Sequence, residues 1–274
     1  MSAAPPSRSF NLGAKARKYG AALKSGALTR LAYRSELIGS GLSFALFVFL
    51  FINVWAAVFA GKDELSGYTR EACVWYFIVA ELVIFGMQGA FTELADEVKS
   101  GSVAYGLGRP YSFPLYQMAQ HFGSALAGSA ALAPSGIAMG LLATGACPMS
   151  GPAHAALALA SFAMGLALHF ALILSVALSA FWVEENSAFF WIYSKVLLVT
   201  GTFMPLEFLP EWAQGALRWT PLPYVTWAPA RAFARLDEET LAIMAAQAAW
   251  LAGGMAMAFF LFNKGVRRVS IQGG

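Results

Sequence analysis

The chain has 274 residues, of which 58% are apolar and 12% charged, about half the charge of an ordinary soluble domain. A water-facing fold is excluded as the main form, because the apolar residues fall in long runs rather than short amphipathic periods. The net charge of +3 is small and scattered, which argues against nucleic acid; basic residues beside apolar runs suit anionic lipid head groups.

Met1 to Glu36 carries scattered basic and polar residues, and the first long apolar run begins only at Ile38. That run is therefore read as a retained span rather than a signal peptide. Residues 1–37 form an amino-terminal segment in which Lys15 to Arg34 is expected to be helical and interfacial. A bilayer core of about 30 Å needs about 20 helical residues. Runs of that kind place six spans at about 38–60, 72–91, 113–146, 155–181, 187–204 and 241–262, within a membrane domain of 38–262 and before a tail of 263–274. The fold class is all-α, a polytopic transmembrane helical bundle.

The third run is long, and Pro134 implies a kink or an interfacial lead-in. Gly136 and Gly140 have the GxxxG spacing that lets helices approach closely, a spacing that chance also supplies in so Ala- and Gly-rich a segment. With the amino terminus inside, twelve Lys and Arg flank the spans on the inner side and five on the outer, with Lys195 inside the fifth span. Both termini are expected to be cytoplasmic. Between spans five and six, Pro210, Pro221, Pro223 and Pro229 forbid a continuous crossing, so this stretch forms an outer re-entrant or interfacial hairpin. Within it Glu211, Gln214 and Arg218 share one helical face while Trp212 and Trp219 lie on the rest, and Pro210 suits a first turn. Pro205, Pro210, Trp212 and Trp219 mark the hairpin as a candidate exit, although tryptophans also gather at any membrane interface.

The loop after span two is the most informative stretch. Its acidic half, with Glu93, Asp96, Glu97 and Val98, reads as a short helix ended by Gly101; Val103 and Leu107 offer apolar side chains to a partner, and Arg109-Pro110 returns to the membrane surface. The plain alternative is a solvated connector. Four ionisable residues lie within spans, where a central charge costs about 2.5 to 3.5 kcal/mol on insertion scales. Glu81 and Lys195 are at similar depth and are expected to pair as a packing device, and His121 and His169 to hold interior hydrogen bonds; together the four are also the candidate lining of a substrate path or proton relay. Cys73 and Cys147 both fall near the outer face, where a disulfide is chemically permitted. No nucleophile with its base and no metal-ligand spacing is present, so no catalytic or metal site is assigned.

Two stretches, Glu97-Val-Lys-Ser-Gly-Ser-Val-Ala-Tyr-Gly-Leu-Gly-Arg-Pro110 and Gly201-Thr-Phe-Met-Pro-Leu-Glu-Phe-Leu-Pro-Glu-Trp212 continuing to Pro221-Leu-Pro-Tyr224, resemble the membrane subunits of bacterial type-two ATP-binding-cassette exporters of the six-span branch. The resemblance implies a half-transporter of the inner membrane, not itself an enzyme. It works with a second permease subunit, alike or different, and with cytoplasmic ATPases that bind ATP and Mg. In that mapping the loop after span two couples to the ATPase through Glu93, Asp96, Glu97, Val98, Gly101, Val103, Leu107, Arg109 and Pro110. The chain has no GxxxxGK[ST] loop of its own with which to cradle a nucleotide. The competing reading is an ion-gradient-driven secondary transporter using Glu81, His121, His169 and Lys195.

Overall fold

The computed structural model describes residues 12–103 and 111–272, and the described part consists of helices joined by turns and loops, with one isolated bridge between Leu65 and Tyr68. Among the described residues ten α-helices follow in order: α1 Leu12–Ala32, α2 Arg34–Val58, α3 Arg70–Gly86, α4 Ala90–Lys99, α5 Phe113–Thr144, α6 Pro152–Ala177, α7 Ser187–Leu197, α8 Glu211–Arg218, α9 Pro223–Ala234 and α10 Thr240–Gln272. Leu107, Arg109 and Pro110 lie outside the described residues. Among the described residues, five helical stretches are long and apolar enough to cross a membrane: α2, α3 with α4, α5, α6 with its 3-10 extension, and α10.

Chain chemistry sets the helix ends. Thr69 caps α3 by accepting from the Ala72 amide at 3.3 Å, a side-chain substitute for a missing intrahelical acceptor. Gly145, at φ +76°, closes α5 with its N–H on the Leu141 carbonyl at 2.8 Å, the left-handed stop that glycine permits. Buried Asn186 donates to the terminal carbonyls of α6 at Val176 and Ala177, 3.3 and 3.2 Å away.

α3 is the central helix, sealed by α2, α5, α6 and α9. A Cβ added at Gly140 would stand 2.7 Å from the Trp75 ring, and one at Gly136 2.9 Å from Ile78. The GxxxG spacing therefore seats α5 directly on α3, the close packing that replaces hydrophobic drive in lipid. Trp75 in turn donates through Nε1 to Thr144 Oγ1 at 3.1 Å and the Ala146 carbonyl at 2.9 Å. α5 is assigned as one helix straight through Pro134, so no separate lead-in precedes it.

The run expected as span two, 72–91, lies within one stretch able to cross a membrane and contains a turn. α3 ends at Gly86, and Gly89 at φ +84° turns the chain into α4. The fifth expected span is interrupted as well: α7 has eleven residues and passes into a π turn over Leu198–Thr202. Tyr76 Oη donates to the Gly201 and Met204 carbonyls at 2.5 and 3.3 Å, which satisfies backbone that the broken helix leaves open inside the bundle.

The bundle has two distinct ends. Tyr68, the start of α3, the end of α5, His154 and the segment 206–239 gather at one, the hairpin end. α1, α4, the start of α5 and the far part of α10 gather at the other, where Phe113 stacks on Phe262 at 4.9 Å and Lys99 meets Glu185 at 3.6 Å.

Candidate functional site

α4 is amphipathic, and its geometry decides what it can offer. Ala90, Phe91, Leu94, Ala95 and Val98 are buried, with Phe91 stacked on Phe190 at 4.2 Å. Thr92, Glu93, Asp96 and Lys99 face outward. Glu97 is half-buried and accepts a hydrogen bond from Gln117 of α5. Val98 and Val103 are thus packed into the chain's own core, 6% and 3% exposed. The expectation that Val103 is presented to a partner is corrected: the apolar side of α4 is used for anchoring, and the acidic side is what remains free.

The turn that ends α4 is closed by serine hydrogen bonds. Ser100 and Ser102 hydroxyls meet at 3.0 Å, and Ser102 Oγ donates to the Glu97 carbonyl at 3.0 Å. Gly101 has φ +72°, with nothing within 4 Å of an added Cβ. A side chain there meets open space and only backbone strain.

Of the four ionisable residues expected within spans, none is joined to another by a hydrogen bond or ion pair. Glu81 is buried on the side of α3 between Phe77 and Phe85, whose rings meet Phe51 and Phe44 of α2. Lys195 is exposed on α7, with Nζ over the Trp191 ring at 5.8 Å. The expected Glu81–Lys195 pair is therefore corrected: equal depth along two helices says nothing about the directions in which side chains point. His121 stacks on Phe170 at 5.7 Å, and His169 lies 5.9 Å from the Tyr193 ring with its Nδ1 lacking a partner. Cys73 is buried and Cys147 exposed, and both are free thiols, so no disulfide joins the two.

At the hairpin end the structure assembles a site that the sequence reading overlooked. Arg231, only 1% exposed on α9, donates through Nε to Glu207 at 3.0 Å, through Nη1 and Nη2 to the two Asp237 oxygens at 3.0 and 2.8 Å, and through Nη2 to Glu239 at 3.0 Å. Glu207 also accepts from Trp227 Nε1 at 3.0 Å and Tyr68 Oη at 3.2 Å. Arg235 stacks over the Tyr68 ring at 4.7 Å. Burial raises the Asp237 carboxyl, but the Arg231 charge, the Thr240 and Arg231 hydrogen bonds and the Arg235 charge outweigh it and hold the group below its ordinary value. Bidentate pairing of this kind fixes orientation as well as charge. The available signal was an arginine inside an apolar, Pro-bounded segment, which requires partners.

The clamp pins a two-part hairpin. Pro205 is buried before a short 3-10 turn, and α8 starts after Pro210 with Trp212 and Trp219 exposed at 78% and 83%. α9, in contrast, is buried among α3, α6 and α10. A Cβ at Gly165 of α6 would lie 2.7 Å from the Val225 carbonyl. Gln247 of α10 donates to the Ser161 and Tyr224 carbonyls at 3.0 and 2.9 Å and accepts from Ser161 Oγ at 2.8 Å. The stretch is thus an exposed amphipathic helix followed by one embedded in the bundle.

A family model described as ABC-2 family transporter protein matches residues 42–273. Neither the curated proteins nor the solved structures contain a match.

Proposed function

Since the chain belongs to the ABC-2 family of transporter membrane proteins, we propose that it is the permease half of an ATP-driven exporter, docked on cytoplasmic ATPase subunits through α4 and the turn at Gly101. The family is one of membrane channel subunits rather than ATPases, so ATP and Mg are bound by the partner. The observation that carries this reading is the two-sided character of α4: Glu93 and Asp96 project outward, while Phe91, Leu94 and Val98 lock the same helix into the bundle. A push on the acidic face is transmitted to α6 and α5 instead of being absorbed by a loose loop.

A second permease subunit, alike or different, completes the path. The broad apolar faces of α2, with Leu42, Leu46 and Phe49, and of α7, with Phe189, Trp191 and Ile192, are exposed and suit that subunit or lipid. The membrane is the bacterial inner membrane, with α1 and the end of α10 on its cytoplasmic side. The test is Asp96→Lys in cells that also supply the cognate ATPase. We expect insertion to be unchanged and ATPase co-purification to fall by about tenfold, a loss of about 1.4 kcal/mol of binding. Undiminished co-purification and transport would remove α4 as the docking element.

A further inference from the structure

Between α1, α4 and α5 lies a polar cavity of about 310 Å³ lined by Arg30, Glu36, Gln88, Glu93 and His121. Arg30 is 6% exposed. Its Nη1 donates to Glu36, its Nη2 to Ser40 Oγ at 3.4 Å, and its Nε has no partner. A guanidinium carries five N–H donors, so most of this one's hydrogen-bonding capacity is unused in a buried position, where unused donors are costly. Gln88 accepts from Ser40 Oγ at 2.7 Å through Oε1, which leaves its NH2 group as a further donor. Glu93 has no ion pair among the described residues, and it lines the cavity together with Glu36 and Arg30.

The cavity wall thus holds one cation and two carboxylates. A simple anion meets Glu36 and Glu93; a simple cation meets Arg30. A ligand that carries both signs satisfies the set, with an acidic oxygen on Arg30 and an ammonium on Glu93.

The second half of the argument is apolar. Met87 and Gln88 line this cavity and also a neighbouring one of about 230 Å³, walled by Ile84, Ile173, Phe190, Leu197 and Leu198. His169, 5% exposed, faces that second space with Nδ1 unpartnered. A polar chamber at the end of a helical bundle, sharing the Met87–Gln88 wall with an apolar chamber between its helices, has the form of an amphiphile's head and chain.

We propose that the two cavities bind a phosphoethanolamine phospholipid from the leaflet beside α1, the phosphate on Arg30 and the Gln88 NH2 group, the ammonium on Glu93, and an acyl chain among Ile84, Ile173 and Leu198. Phosphocholine lacks ammonium N–H donors for Glu93, and phosphoglycerol lacks the cation altogether. The proposal goes beyond the transport reading; it shares Glu93 with the acidic face of α4, and because lipid retention is read without any ATPase, its failure is distinguishable from failure of the docking reading.

The experiment uses the full chain purified in detergent and native mass spectrometry. Phosphatidylethanolamine, phosphatidylcholine and phosphatidylglycerol of identical chains are titrated in, and soluble glycerophosphoethanolamine is added as competitor. We expect phosphatidylethanolamine to be retained about tenfold better than the other two, and Glu93→Gln, at an exposed position, to bring all three within about twofold. The soluble head group should compete at least about tenfold less well than the whole lipid. Equal retention of the three lipids, or an unchanged preference in Glu93→Gln, overturns the head-group site. Competition by the soluble head group as strong as by the lipid overturns the assignment of the apolar chamber.

Discussion

At the scale of single residues, Arg231 is the group on which the hairpin end depends. Three carboxylates from two segments converge on one buried guanidinium, so deleting it leaves Glu207, with its side chain 14% exposed, with Arg235 at 3.7 Å as its remaining cation. Removing one member of a buried pair costs about 3 to 5 kcal/mol, and Arg231→Met is expected to lower the stability of the detergent-solubilised protein by that order. The same clamp imposes a sign on acid behaviour. Because Asp237 titrates below its ordinary value when folded, its contribution is complete above the unfolded aspartate range near about pH 4 and is lost as pH falls through the depressed folded value. Thermal midpoints measured across that window should fall toward acid in the natural chain and fall less steeply in Arg231→Met. A variant as stable as the natural chain, with the same acid slope, would show the clamp to be ornamental.

At the scale of helices, the joint between α1 and α5 is set by backbone approach. A Cβ at Gly26 collides with the Gln120 carbonyl, and one at Gly123 with the Leu23 carbonyl, so neither can be relieved by a side-chain rotation. Gly26→Ala or Gly123→Ala should therefore release α1 from α5, whereas Gly20→Ala, with nothing within 4 Å, should not. Limited proteolysis within α1 reads the difference, and equal resistance in all three variants would contradict the close crossing. Little of this joint was legible beforehand. That Lys15 to Arg34 is helical could be read, but nothing in one sequence says which glycine meets which carbonyl. The helical turn from Pro210 was legible because Pro at an N-terminus and a one-sided polar face are local signals, and Gly101 ended its helix for the same local reason. The break at Gly89 was hidden, since hydropathy runs on from α3 through Phe91 and a single left-handed residue leaves no periodic trace. The Glu81–Lys195 pairing failed because sequence spacing fixes depth along a helix and leaves the partner's azimuth open. Arg231 was missed because a charge count for orientation treats every arginine as solvated.

At the scale of the molecule, the two ends of the bundle are what any transport cycle must distinguish. α4 and its turn occupy one end, and Cys147, exposed just after α5, occupies the other with the Arg231 clamp. The helix between them has 32 residues, about 48 Å at 1.5 Å per residue, more than the hydrocarbon core of about 30 Å. The two positions should therefore lie in different aqueous compartments. In sealed inverted and right-side-out vesicles, a membrane-impermeant maleimide is expected to label natural Cys147 in one preparation only. A cysteine introduced by Ser100→Cys, in a chain whose Cys147 is serine, should label only in the other. Cys73, 0% exposed, should stay unlabelled in both until the protein is denatured. Labelling of both positions from the same side would place α4 and the hairpin in one compartment, and no force applied to the acidic face of α4 could then be relayed along α5 across the bilayer.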